Sequence, residues 1–159
     1  MRVADYKDLR VYQLAFESAM QIFELSKGFP AEEKYSLTDQ VRRSTRSVCA
    51  NIAEAWRKRK YQAAFVSKLS DADAEAAETE VHLSFVSRCG YLSAKKHAEL
   101  KDHYDHICRQ LRTMIADAPS WCENTGYLRE QHVQYFVDAV NFQTLHAPTL
   151  PAQHCNDLD

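Results

Sequence analysis

The chain has 159 residues and a mass of 18.3 kDa, the size of one ordinary domain, with a formal net charge of −2. Its 3 glycines and 4 prolines are too few for the tight turns of a loop-rich β fold, so the composition predicts an all-α protein. No apolar run reaches the roughly 18 residues of a membrane span, and residues 1–10 lack the apolar stretch of a signal peptide.

Apolar residues at three- and four-residue steps predict the first two helices. Helix one is expected from Asp8 to Lys27, where Gly28 and Pro30 stop it. Its apolar stripe consists of Leu9, Tyr12, Phe16, Ala19 and Phe23. Helix two is expected to begin with a capping box of Ser36 and Asp39. Its stripe consists of Leu37, Val41, Val48, Ile52 and Ala55.

The next stretch must fold back, because residues 31–89 as one helix would be about 90 Å long. We place the turn near Arg57 to Gln62, although no glycine or proline marks it. Helix three then keeps a strict four-three alternation, typical of a bundle. The stripe consists of Phe65, Leu69, Ala72, Ala76, Thr79, Leu83 and Val86. Helix four is expected between a cap at Ser93 and a stop at Pro119. Its stripe consists of Leu100, Tyr104, Ile107, Leu111 and Met114.

Four such helices with short links predict an antiparallel up-down four-helix bundle over residues 1–119. Residues 120–159 are expected to form a C-terminal extension with five acidic residues and one basic residue. A short amphipathic helix is predicted there from Val133, Phe136, Val137 and Val140. Residues 147–159 are expected to be loosely ordered. The pattern leaves open whether the extension shields a basic surface or docks on a neighbour.

Charge is strongly segregated in the middle of the chain. Residues 40–60 contain seven basic residues and one acidic residue, Glu54. The seven are Arg42, Arg43, Arg46, Arg57, Lys58, Arg59 and Lys60. Most of them fall within roughly a 100° arc nearly opposite the apolar stripe, so they are expected to point outward together. Helix three carries the reverse pattern with Asp71, Asp73, Glu75, Glu78 and Glu80.

Three interpretations of this segregation stay open. A basic face of this kind binds nucleic-acid phosphates, for which arginine offers a planar fork of donors. The same face is also compatible with solvated arginines that pair with carboxylates of neighbouring helices. Finally, the basic stripe of one subunit can meet the acidic stripe of the next, a head-to-tail contact that closes into a ring.

Gln40, Ser47, Asn51 and Glu54 form a polar strip on helix two beside its apolar stripe. Such a strip needs hydrogen-bonding partners from another helix or another subunit. We therefore assign a set of residues either to a subunit interface or to a polar layer inside the bundle. The set consists of Gln40, Ser47, Asn51, Glu54, Asp71, Glu75 and Glu78. Trp56 and Tyr61 bracket the basic run, where they either stack on unpaired bases or pack at a helix end or interface.

No motif in the chain predicts catalysis or a cofactor. A nucleophile elbow, a glycine-rich phosphate loop and the Glu-x-x-His motif of ferritin-like sites are all absent from the sequence. The other candidates for a metal site are Asp71, Glu75, Glu78 and His82 on one stripe, and Glu99, His103 and His106 on another. Such residues on polar faces are usually only solvated, so no native metal site is expected. Five cysteines without a Cys-x-x-Cys pair predict reduced, mostly buried thiols. Because the sequence also shows no membrane span and no signal peptide, we expect a cytoplasmic protein with no membrane partner.

The segment FPAEEKYSLTDQVRRSTRSVCANIAEAWRKRK, preceded by DLRVYQLA, resembles the bacterial four-helix-bundle family encoded in intervening sequences of 23S ribosomal RNA genes. The matching start consists of Asp8, Leu9, Val11, Gln13 and Ala15, followed by Phe29, Pro30, Glu33 and Tyr35. The matching signature helix carries Gln40, Arg42, Arg43, Ser47, Asn51, Ile52, Ala53 and Glu54. The resemblance covers residues 5–118. Family members often have glycine where this chain has Ala55 and Trp56, so its turn into helix three is expected later.

This resemblance implies an up-down bundle whose relatives assemble as homopentameric rings with a central channel. The similar accessory variability protein of diversity-generating retroelements partners a reverse transcriptase and binds nucleic acid. No enzymatic activity is established for the family. We therefore expect a non-enzymatic homo-oligomer, a pentamer, that binds RNA or DNA through the Arg-rich face of helix two. The alternative is an adaptor whose charged faces serve ring assembly and docking of a partner such as a reverse transcriptase.

Overall fold

The computed structural model describes residues 3–122, which form four long helices and a short fifth one. The helices are α1 (Arg10–Leu25), α2 (Leu37–Lys58), α3 (Gln62–Arg88), α4 (Ala94–Ala116) and α5 (Ala118–Trp121). Short 3-10 turns precede α1 and connect it to α2. No strand occurs in the described part of the chain, so the all-α prediction is confirmed. None of the helices in residues 3–122 combines the length and the apolar character that crossing a membrane requires.

Consecutive helices run antiparallel, as the side chains that meet between α2 and α3 show. Ser44 in the first half of α2 contacts Thr79 late in α3, whereas Glu54 near the end of α2 pairs with Lys68 near the start of α3. Each helix packs on the next, and α4 packs back on α1. Within this closed ring α1 lies diagonally opposite α3, and α2 lies diagonally opposite α4. The predicted up-down four-helix bundle is therefore confirmed.

The connections are short and fall where the sequence predicts them. Arg59–Tyr61 join α2 to α3, inside the predicted turn. The link from α3 to α4 turns at Gly90, whose φ of 79° lies in the left-handed region that favours glycine. At Ser93 the predicted cap of α4 is confirmed, since its side chain accepts a hydrogen bond from the Lys96 amide at 3.3 Å.

The core is built from the stripes predicted for α2, α3 and α4. All seven predicted residues of α3 are buried, as are the five of α4 together with Cys108. In α2 the predicted stripe is buried except for Leu37, which is half-buried at the first helical position. These helices were predictable because each carries one well-spaced apolar stripe that faces the other three.

The stripe predicted for α1 is wrong for Phe16 and Phe23, whereas Leu9 is buried and Tyr12 and Ala19 are half-buried against the core. Phe16 and Phe23 keep 51% and 39% of their surface exposed. The face of α1 that enters the core consists of Val11, Ala15, Ser18 and Ile22. Ala15 and Ser18 are small, and the Ser18 hydroxyl lies 3.1 Å from Nδ1 of His103 on α4. The larger rings are left along the outer edge beside α2.

Three local predictions also need correction at helix ends. α1 is shorter than predicted because the chain tightens into 3-10 turns at Tyr6–Asp8 and Ser26–Gly28. Ser36 caps nothing, since its hydroxyl donates to Glu33, whose carboxylate accepts the Leu37 amide at 3.3 Å. α4 ends at Ala116, before Pro119, which lies inside α5 at a position that needs no N–H.

The cysteine prediction holds for half of the described thiols. Cys49 and Cys108 are buried, Cys122 is half-buried, and Cys89 is exposed. The described cysteines are free thiols, as predicted. The predictions for Cys155, for the amphipathic helix around Phe136 and for residues 147–159 lie outside the described residues.

Candidate nucleic-acid interface

The predicted basic residues form two groups along α2. Arg42, Arg43 and Arg46 lie in its first half, and the other four lie at its end and in the turn that follows. Arg42 and Arg59 are half-buried, and the remaining five are exposed. The two groups are about 22 Å apart along the axis, at 1.5 Å per residue.

The first basic group carries positive charge that its own bundle leaves uncompensated. Nε of Arg42 donates to Oγ of Ser26 at 2.7 Å, and its guanidinium lies 4.9 Å from the centre of the Phe23 ring. Nε of Arg46 donates to the Arg42 carbonyl at 2.7 Å. None of Arg42, Arg43 and Arg46 forms an ion pair with a carboxylate of residues 3–122. The prediction that all the arginines point outward is wrong for Arg42, which lies against α1.

In the second basic group, two members pair with carboxylates of the same bundle. Arg57 lies 3.8 Å from Asp5, and Lys58 lies 2.7 Å from Glu54. Both pairs are exposed and contribute little to stability. Arg59 lies over the Trp56 ring at 4.1 Å and donates to the Trp56 carbonyl at 2.8 Å. Trp56 is buried and therefore packs at the helix end rather than presenting its ring to a base, whereas Tyr61 is exposed.

Within residues 3–122, Glu54 is the member of the polar strip whose side chain contacts α3. Its carboxylate pairs with Lys58 on α2 and with Lys68 on α3 at 3.2 Å, and Lys68 also pairs with Asp71 at 3.2 Å. Hydrogen bonds from Lys58 and Lys68 lower the pKa of the Glu54 carboxyl. This network is a surface ion-pair layer that ties α2 to α3.

The other members of the predicted set do not converge. Nδ2 of Asn51 donates to Oγ of Ser47 at 3.4 Å within α2, and Gln40 is exposed. On α3, Glu78 lies 3.1 Å from Nε2 of His82, and Glu75 is half-buried. Apart from the hydrogen bond between Asn51 and Ser47, the structure does not bring these residues of α2 and α3 together.

A buried polar contact between α2 and α3 was missed by sequence reasoning. Oγ1 of Thr79 donates to Oγ of Ser44 at 2.8 Å, and both side chains are inaccessible to solvent. Thr79 was assigned to the apolar stripe without a partner. The signal available in the sequence was the hydroxyl of Thr79 in a stripe whose other members are all apolar.

Between α1 and α2 runs an open groove of about 380 Å³, which we call the aromatic groove. Its α1 side consists of Tyr12, Phe16, Ala19, Met20 and Phe23, and its α2 side includes Arg42 and Arg46. The rings of Tyr12 and Phe16 stack at 6.1 Å with an interplanar angle of 21°. Partial burial raises the pKa of the Tyr12 hydroxyl. This groove was not predicted, because the spacing of Tyr12, Phe16 and Phe23 along α1 favoured a position in the core.

The outward face of α3 is also partly apolar, with Val81 and Phe85 exposed to 54% and 58%. Two of the five predicted α3 carboxylates pair with basic residues of their own bundle, Asp71 with Lys68 and Asp73 with Arg112 at 3.3 Å. Burial, followed by the nearby Asp105, raises the pKa of the Glu80 carboxyl. The acidic side is therefore better compensated than the first basic group.

The candidate metal ligands do not converge in the part of the chain that the structure describes. In residues 3–122 no group of three or more His, Cys, Asp or Glu side chains is placed to hold a metal ion. His106 directs Nδ1 at the Asp102 carbonyl, 2.8 Å away. Burial raises the pKa of the Cys49 thiol to about 11 and that of Cys108 to about 12, so both stay protonated at neutral pH.

Comparison with known proteins decides the family. A family model described as "23S rRNA-intervening sequence protein" matches residues 7–113. The chain belongs to this family. A solved structure from Bacteroides thetaiotaomicron, described as a protein with unknown function from the S23 ribosomal protein family, is 31% identical with a TM-score of 0.61. The match covers 67% of this chain and 95% of that chain. None of the curated proteins matches.

The family match bears directly on the site. Residues 7–113, which the family model matches, include both basic groups, the polar strip and the aromatic groove. Residues 114–159 lie outside the matched range. Neither the family description nor that of the solved structure names an enzymatic activity.

Proposed function

We propose that this member of the family is a non-enzymatic, homo-oligomeric bundle that binds nucleic acid, foremost RNA, through the Arg-rich face of α2. The observation that carries the proposal is the first basic group, where three guanidinium groups within two helical turns lack a carboxylate partner among the described residues. Guanidinium groups bind phosphate oxygens through paired donors, and such binding needs no particular base sequence.

The expected protein partner is a second copy of the chain, with a pentamer as the expected subunit number. Support comes from the outward face of α3, where Val81 and Phe85 are exposed next to Glu78. A contact between this face and the basic face of another copy is heterologous and closes into a ring when the rotation allows. Nucleic-acid binding then requires that some arginines stay outside the interface.

The second candidate function is a protein-interaction adaptor that docks a partner such as a reverse transcriptase. It is favoured by the same exposed apolar side chains, because contiguous apolar surface on a soluble protein marks an association site. Under this alternative the charged faces serve assembly and docking alone, and nucleic acid is not a ligand.

The deciding experiment is size-exclusion chromatography with light scattering at low and high salt, with absorbance at 260 and 280 nm. Nucleic acid that co-elutes with an oligomer at low salt and strips off at high salt is the result expected from the proposal. A clean oligomer without nucleic acid, together with no binding of added RNA, favours the adaptor.

Charge reversal at Arg42, Arg43 and Arg46 to Glu sharpens the test. The triple variant should lose RNA binding while its helix content by circular dichroism is unchanged. The matched control reverses Arg88, Lys95 and Arg109, three exposed basic residues of α3 and α4 that form no ion pair with a carboxylate of residues 3–122. Unchanged RNA affinity in the α2 variant would refute the proposal, and loss of oligomeric mass before any other property would support the adaptor.

A further inference from the structure

The aromatic groove exposes more apolar surface than folding of the bundle requires. Phe16, Met20 and Phe23 keep 51%, 45% and 39% of their surface exposed, although α1 already buries a separate apolar stripe in the core. Exposed rings in contiguous positions are characteristic of a binding surface rather than of packing. The groove is therefore a candidate binding surface.

The groove combines ring faces with positive charge. Tyr12, Phe16 and Phe23 extend over about 16 Å of α1, at 1.5 Å per residue. Arg42 and Arg46 form the opposite edge one turn apart, and the Arg42 guanidinium already lies over the Phe23 ring. Among the described residues that line the groove, none is acidic. Its charge is thus complementary to an anionic ligand that also carries flat apolar groups.

We propose that the aromatic groove is a base-stacking site and that its ligand is single-stranded nucleic acid. The proposal rests on the proposed function and specifies its substrate class. Unpaired bases stack on aromatic side chains and on guanidinium planes while their phosphates meet the arginines. A duplex hides the faces of its bases, so it contacts the arginines through phosphate alone.

The test compares a fluorescein-labelled 20-nucleotide uridine strand with a 20-base-pair RNA duplex by fluorescence anisotropy. Phe16→Ala combined with Phe23→Ala should weaken binding of the single strand about fivefold or more and leave duplex affinity unchanged. The matched control is Tyr35→Ala, which removes an exposed aromatic ring outside the groove lining and should change neither affinity. Phe16→Tyr should retain single-strand binding, whereas Phe16→Leu should not.

Two results would overturn the proposal. Equal affinity of wild-type protein and the phenylalanine variant for the single strand shows that the rings stack no base. A changed mass of that variant in light scattering shows that the groove is an interface between copies. In either case retained sensitivity of duplex binding to the Arg42, Arg43 and Arg46 reversals leaves the proposed function standing. Absence of binding to both probes by the wild-type protein refutes both.

Discussion

Neutralising the first basic group should flatten the salt dependence of nucleic-acid binding by a calculable amount. Binding to a single strand weakens with salt with a slope of about −0.7 in log K against log [salt] for each phosphate neutralised. If Arg42, Arg43 and Arg46 each meet one phosphate, their replacement by Gln makes the slope shallower by about 2. Between 50 and 200 mM salt, the wild-type protein should then lose roughly 20-fold more affinity than the variant.

Anisotropy titrations of the labelled uridine strand at four salt concentrations measure both slopes. The control variant carries Lys101→Gln, Arg109→Gln and Arg112→Gln on α4, which removes equal charge from the opposite side of the bundle. Its slope should match that of the wild type. A slope unchanged in the α2 variant, or an equal flattening in the α4 control, would refute the assignment of phosphate contacts to this face.

Three further predictions concern stability and thiol reactivity. Thr79→Val should lower the free energy of unfolding, measured in urea, by about 1–2 kcal/mol, because it removes a buried hydrogen bond to Ser44. Adding Ser44→Ala should recover part of that loss, since no unpaired hydroxyl then remains. Fully additive losses in the double variant would contradict this prediction. Glu80→Gln should raise the Tm at pH 7 but not at pH 4, since the raised pKa of Glu80 means that its ionised form costs stability once pH exceeds that pKa; equal Tm values at pH 7 contradict it. N-ethylmaleimide at pH 7 should modify the exposed Cys89 and spare Cys49 and Cys108, as mass spectrometry of the native protein would show.

The helices that sequence reasoning predicted well each carry one apolar stripe. For α1 the predicted stripe contained the larger rings of Tyr12, Phe16 and Phe23. In the bundle the buried residues of α1 are instead Val11, Ala15, Ser18 and Ile22, two of which are small. Periodicity alone does not reveal which of two adjacent faces of an apolar helix its neighbours will cover, so this face was not predictable from the sequence.

The candidate site was predictable in its charge but not in its contacts. A helical wheel places Arg42 and Arg57 within one arc, yet Arg42 lies against Phe23 while Arg57 lies near Asp5. Long side chains reach partners on other helices, and the angle around one axis does not reveal which partners are near. The same reason hides Lys68, which connects Glu54 to Asp71 and lies outside the basic run.

Assembly and nucleic-acid binding make competing demands on the same arginines. Arg42 and Arg46 line the aromatic groove, whereas Arg43 and Lys60 lie outside it. If a second copy covers the groove, only Arg43 and Lys60 remain free to bind phosphate. In that case Arg43→Gln should change the salt slope, whereas Arg42→Gln with Arg46→Gln should not. If the groove is open and binds a single strand, Arg42→Gln with Arg46→Gln should reduce the slope about twice as much as Arg43→Gln. The ratio of these two effects therefore distinguishes a ring that closes through the groove from one that leaves it free for nucleic acid.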